Sequence, residues 1–415
     1  MHSKMKRLGF FFCLTVVLTL ILIPVTKAQN EPITRLSGIE SLGQLKKYYE
    51  VPNFKIGGTY ELGNETAYEW GGKDGVTLES LGARPLRTAY LAVGTPKKDS
   101  QGLIINAVII SSYYSGDASF MYDFWYAGQK GNAFCQGPVV GPGLLIDTNK
   151  YYVVFLDALG LWGTSKPSDG LGLKFPEYSY QDYVQANYRL LKDHLKVGKI
   201  KLATGVSMGA IQSYIWAVLH PDFVEAILPI GGITYSDPVS RWLFDLMSAA
   251  MQSDPVWQKT KGTYYHLPKD QHPNQGMMFG WSVLGHTGLS FDFRVKQKWD
   301  VVKKEVFYWK PAGDEGANLI SKAKDFDVID LLYRNGAGSR FNIFDQLGRI
   351  KAKTLIIHVK NDQWLRLPLA EEAAGKIPGA KLEAFESPLA HYAVFQGPNA
   401  LKDKVKTFFK EIGLD

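Results

Sequence analysis

Short apolar runs alternate with longer amphipathic stretches over most of this chain. Leu91–Val93, Ala107–Ile110, Tyr152–Leu156, Ile200–Ala203, Ala226–Ile230, Thr354–Val359 and Lys381–Phe385 read as strands, most of them apolar on both faces. Between them lie helical patterns. Residues 178–196 place Tyr180, Val184, Asn187, Leu191 and Leu195 on one stripe, with Asp182, Arg189, Lys192 and Asp193 off it. Further helices are expected over 208–219, ending before Pro221, over 369–376, and from Tyr392 to Ile412. The strand–helix–strand rhythm predicts right-handed crossovers and an α/β class, a mostly parallel doubly wound sheet. Residues 235–350 break the rhythm. They are rich in tryptophan (Trp242, Trp257, Trp281, Trp299, Trp309) and contain no convincing strand, so a helical lid inserted in the sheet domain is expected. Residues 29–88 show little periodicity and read as an irregular N-terminal arm. The core is then expected in two parts, 89–234 and 351–415.

Residues 1–28 have the pattern of an export signal. Lys4, Lys6 and Arg7 precede an apolar run from Leu8 to Val25, and Thr26-Lys27-Ala28 supplies small residues around a cleavage point. A retained anchor is the alternative, because the run approaches the length that spans a bilayer. The location expected is secreted or periplasmic, with no stable membrane association after cleavage. The signal also changes the charge picture. The whole chain carries +7, but Lys4, Lys6, Arg7 and Lys27 are four of those charges, which leaves +3. That balance gives no reason to expect a nucleic-acid partner. Cys13 lies in the signal and Cys135 stands alone after it, so no disulfide within the mature chain is expected; Cys135 reads as a small buried hydrophobe.

One motif carries chemistry. Gly205-Val206-Ser207-Met208-Gly209 follows a predicted strand and opens a predicted helix, the setting of a nucleophile elbow. The pentapeptide is weak evidence alone, and the strand–turn–helix context carries the reading. A serine hydroxyl needs a histidine base and a carboxylate to orient it. In this architecture they follow in the order serine, acid, histidine. Asp362 comes after strand 354–359, in an Asn-Asp pair that could also be a simple turn. His391 precedes the last helical segment. Met208 is expected to give one main-chain oxyanion donor, and Tyr113 or Tyr114, after strand 107–110, the other. The remaining histidines do not follow the sheet in this order, although His286 could line a pocket. No metal-ligand spacing or phosphate-cradling loop appears, and no cofactor is expected.

With these residues in place, the chain resembles the homoserine O-acetyltransferase family of α/β-hydrolase-fold enzymes over about residues 88–400. The matching segments include Asn106-Ala107-Val108 leading to Ser115-Gly116-Asp117-Ala118, Asp157-Ala158-Leu159-Gly160, Gly205 to Gln212, Asp254-Pro255-Val256-Trp257, Leu284-Gly285-His286-Thr287, and Ala390-His391-Tyr392-Ala393. The resemblance implies an acyl-enzyme on Ser207. It also implies a lid arginine that grips the amino-acid carboxylate, where this chain has Ser248, and a histidine where it has Ser112. Acetyl-CoA is cytoplasmic, which conflicts with an export signal. The first expectation is therefore an exported serine hydrolase of an ester or related small acyl compound. An O-acyltransferase is the alternative, and a non-catalytic binding protein on the same scaffold is a third reading. The lid aromatics could support a homodimer.

Overall fold

The computed structural model describes residues 46–60, 71–295 and 326–414. Residues 1–28, where an export signal is expected, and Trp299 and Trp309 lie outside the described residues. Eight strands form the main sheet: β1 (Lys47–Val51), β2 (Leu86–Val93), β3 (Ala107–Ser111), β4 (Tyr152–Leu156), β5 (Ile200–Val206), β6 (Ala226–Ile230), β7 (Lys353–Val359) and β8 (Lys381–Phe385). Their spatial order is β1-β2-β4-β3-β5-β6-β7-β8. Strand β2 runs against both its neighbours, and β3 to β8 are parallel.

Alternation along each central strand feeds two separate cores. In β4, Val154 and Leu156 face one core, and Val153 and Phe155 face the other. Helices α2 (Tyr180–Arg189) and α3 (Met208–Leu219) cover the first face with Tyr183, Val184, Ile211 and Trp216. Helices α1 (Ala118–Trp125) and α9 (Lys402–Glu411) cover the second with Met121, Trp125, Val405 and Phe409. Covering both faces is what a parallel sheet requires, and it explains why β3 is buried at all five positions. Cys135 is buried in the second core.

Between β6 and β7 come α4 (Pro238–Gln252), α5 (Pro255–Thr260), α6 (Asn274–Thr287) and α7 (Val328–Ser339). Asp237, Asp254 and Asp327 cap α4, α5 and α7 by accepting main-chain N–H groups of the first turn. Helix α8 (Leu367–Lys376) then packs beside β7 and β8.

Three sequence expectations need correction. The arm is not irregular throughout: Lys47–Val51 is the edge strand, paired antiparallel with β2, and β2 itself begins at Leu86. An edge strand faces water on one side, so its burial pattern is mixed and its identity depends on the partner. The last expected helix, 392–412, is broken. Ala390–Gln396 is a 3-10 segment, Gly397–Ala400 a single turn, and only Lys402–Glu411 a regular helix. Pro398 lacks the N–H that would continue the ladder. On α2, Asp182 is fully buried although it lies off the apolar stripe, because Ser179, Gly57 and Tyr60 donate hydrogen bonds to its carboxylate.

Candidate active site

Parallel strands bring their carboxyl ends to one edge, where ligands bind in open α/β sheets. The loops after β3, β5, β7 and β8 meet there. Ser207 occupies the turn from β5 into α3 at φ 55°, ψ −120°, a conformation that side chains rarely adopt. The turn is this tight because Gly205 and Gly209 let the strand, the helix and β3 touch. A Cβ on Gly205 would sit 2.8 Å from the Ser111 carbonyl oxygen, and one on Gly209 only 2.4 Å from the same atom.

His391 Nε2 lies 2.8 Å from Ser207 Oγ, and its Nδ1 lies 2.6 Å from Asp362 Oδ2. All three residues are buried. The other Asp362 oxygen accepts the N–H groups of Trp364 (2.9 Å) and Leu365 (3.0 Å), which fixes the carboxylate. Asn361 Nδ2 donates to the Ser387 carbonyl at 2.8 Å and ties the acid's loop to the histidine's loop. The Trp364 ring stands edge-on to the imidazole with centroids 4.9 Å apart. His286 instead stacks edge-on against Phe291, and His358 is a buried strand residue with Nδ1 against the Val359 carbonyl.

Met208 is the first residue of α3, directly after the serine. The Ser112 N–H is committed to the Leu156 carbonyl at 3.0 Å, so a second donor on this side must come from later in the loop. Tyr113 and Tyr114 send their rings to opposite sides. Tyr113 packs against Phe395, Phe120 and Phe124. Tyr114 lies beneath the lid, 6.1 Å from Trp364 and 6.3 Å from both Phe244 and Trp281. Burial holds the Tyr114 phenol above its ordinary pKa, so it stays a neutral donor.

The residue model for the alpha/beta hydrolase fold matches positions 128–398. The chain belongs to the α/β-hydrolase fold family. Within that family it is similar to homoserine O-acetyltransferases and to an ester hydrolase. It is 28% identical to a homoserine O-acetyltransferase of Methanosalsum zhilinae over 302 residues, covering 68% of this chain and 58% of that one. It is 24% identical to an ethyl acetate hydrolase of Pseudomonas veronii, covering 74% of this chain and 85% of that one. An acetylester hydrolase from Corynebacterium glutamicum superposes with a TM-score of 0.68 at 20% identity, over 91% of this chain and all of that one. That structural likeness carries the fold alone.

Several residues at this edge of the α/β-hydrolase sheet escaped the sequence reading. Lys46 is buried, with Nζ 2.5 Å from Asp117 and 2.7 Å from Asp157. Burial works against its charge, but the two carboxylates outweigh that and raise its pKa. Asp157 is pushed up to about 6, chiefly by burial. The cluster caps α1 and braces the loop that carries Tyr113 and Tyr114. Arg334 and Asn335, on α7, touch Tyr114 directly. No local pattern marks either one. Among the described residues no group of three or more potential metal ligands lies together.

Proposed function

We propose that this protein transfers a small acyl group through an acyl-enzyme on Ser207. The observation that carries the reading is the continuous hydrogen-bonded chain from Ser207 through His391 to Asp362. Ser207 Oγ attacks the acyl carbonyl while His391 Nε2 takes its proton, and Asp362 holds the Nδ1–H and stabilises the imidazolium. The negative oxygen of the tetrahedral intermediate accepts main-chain N–H bonds from Met208 and from the Tyr113–Tyr114 segment. His391 returns the proton to the leaving alcohol or thiol. It then deprotonates the acceptor, whose oxygen displaces Ser207 from the acyl group, and passes that proton to the departing Ser207 Oγ.

An alcohol acceptor, making the protein an O-acyltransferase, is the reading the sequence relatives favour. One observation favours water, and hence ester hydrolysis. Ser248 stands where the resemblance places a carboxylate-gripping arginine, and its hydroxyl donates to the Phe244 carbonyl at 2.9 Å. A charge-assisted clamp is worth about 1.5–3 kcal/mol per hydrogen bond, so an amino-acid acceptor held without one competes poorly with water. The test is turnover of a p-nitrophenyl acyl series, with and without acetyl-CoA and homoserine, with both products measured. Saturable O-acetylhomoserine formation supports the transferase; a free acid product that added acceptor does not divert supports the hydrolase. Absence of Ser207-dependent turnover overturns both. We also propose export through residues 1–28, supported by their sequence pattern; an unprocessed N-terminus on protein recovered inside the cell overturns it.

A further inference from the structure

Arg334 is a fully buried cation on lid helix α7. Burying a guanidinium is unfavourable unless its donors are satisfied, and an apolar side chain of similar length would fill the space without that penalty. Its terminal donors go to main-chain carbonyls of two neighbouring loops, while Nε makes no hydrogen bond. Nη1 donates to Tyr114 O at 2.5 Å, and Nη2 donates to Leu159 O at 2.6 Å and Ala158 O at 3.1 Å. A planar fork with fixed donor directions can register two loops against each other; an ammonium on a flexible stem cannot.

The next residue holds the other end of Tyr114. The Tyr114 hydroxyl donates to Asn335 Oδ1 at 2.5 Å, and Asn335 Nδ2 donates to Ser248 Oγ at 3.1 Å. Successive lid residues therefore grip the main-chain carbonyl and the side chain of one residue in the loop after β3. That loop is a turn in which the Gly116 N–H donates to Tyr113 O at 3.3 Å. In a trans peptide the N–H points opposite the C=O. The N–H of the Tyr113–Tyr114 peptide thus points away from the turn, and the grips on the Tyr114 carbonyl and hydroxyl hold the residue whose Cα that N–H is attached to.

We propose that Arg334 and Asn335 are positioning residues that aim the Tyr114 N–H at the oxyanion, so that the lid completes the oxyanion hole. The inference rests on the acyl-enzyme reading above. It makes Tyr114 rather than Tyr113 the second donor. It also assigns Arg334, the one buried arginine among the lid's described residues, to the transition state instead of to a substrate carboxylate.

The experiment measures kcat and KM for p-nitrophenyl acetate, and the affinity for a trifluoromethyl ketone, in Arg334→Lys, Asn335→Leu and Asn335→Gln. The ketone adds to the serine and forms the same oxyanion. Losing one oxyanion donor outright costs about 10²–10³-fold in kcat, so misaiming it should cost about 10–100-fold. Arg334→Lys and Asn335→Leu should lose kcat by that factor, with KM within about twofold. Ketone affinity should fall in parallel with kcat, because both report the oxyanion. Asn335→Gln, which keeps the amide, should recover part of the loss. A rise in KM with kcat and ketone affinity unchanged overturns the proposal, as does a kcat loss that merely follows the folded fraction measured by thermal melting. Should Arg334→Lys fail to fold, the two Asn335 variants decide alone. Failure of the parent reading looks different: the unsubstituted protein then shows no Ser207-dependent turnover and no ketone binding, and the proposal falls with it.

Discussion

Replacing Ser207 by alanine and, separately, by glycine separates catalysis from backbone strain. Both variants lose the hydroxyl and its hydrogen bond to His391, worth about 1 kcal/mol, so that loss cancels when the two are compared. What differs is the Cβ at φ 55°, ψ −120°. A non-glycine residue held in such a region costs about 1–3 kcal/mol. Glycine removes that strain but gives back about 0.5–1 kcal/mol through its more flexible unfolded chain. The balance puts Ser207→Gly more stable than Ser207→Ala by about 0–2.5 kcal/mol, with about 1 kcal/mol as the central value. In unstrained helix the order reverses by about 1 kcal/mol. Urea denaturation with the slope held common to both variants gives the difference as a midpoint shift. Neither variant should turn over ester. A glycine variant less stable than the alanine variant by about 1 kcal/mol would show that the turn stores no strain, and that Gly205 and Gly209 serve close packing alone.

Three further outcomes follow from the same geometry. His391→Ala should lower kcat about 10⁴- to 10⁶-fold, and Asp362→Asn should lose less or as much, because the aspartate orients the base without taking the proton; near-normal turnover in His391→Ala would refute the relay. Gly209→Ala drives a methyl to 2.4 Å from the Ser111 carbonyl, so β3 and α3 must separate; thermal melting should show a loss of about 1–3 kcal/mol together with lost activity, and a stable, active variant would contradict the close packing at the elbow. His220 is buried, stacks on Tyr188 and bonds Gln185; burial, with help from Lys192, lowers its pKa from 6.5 to about 3. A depressed histidine contributes stability that is fully present above its unfolded pKa, and falls by about 1.4 kcal/mol per unit as pH drops from 6.5 toward 3. Stability curves at pH 7, 6, 5 and 4 should flatten in His220→Gln, and an unchanged slope would exclude this histidine as the source.

The strands most legible in the sequence were those buried along all or nearly all of their length. Ala107–Ile110, Tyr152–Leu156 and Ala226–Ile230 are apolar because a parallel sheet covered on both faces leaves no side facing water, so composition alone marks them. The elbow was legible for a related reason: glycine on each side of a serine between a strand and a helix is a local requirement of a tight turn. The order of Ser207, Asp362 and His391 is likewise a property of the chain. Their approach to within 2.8 Å and 2.6 Å is not, because it depends on parallel strands bringing three loop ends to one edge. Strand β1 stayed hidden since an edge strand of mixed polarity is defined by the partner it pairs with. Asp182 looked solvent-facing because periodicity cannot register the Gly57, Tyr60 and Ser179 donors that make its burial tolerable. Arg334 and Asn335 are the extreme case. They meet Tyr114 across more than two hundred residues of chain, and no window of sequence contains both ends of that contact. Local pattern determined the elements and the turn that carries Ser207. The polar contacts that aim the site arise only when distant segments are packed together, because a buried donor or acceptor is satisfied by whatever the fold places beside it.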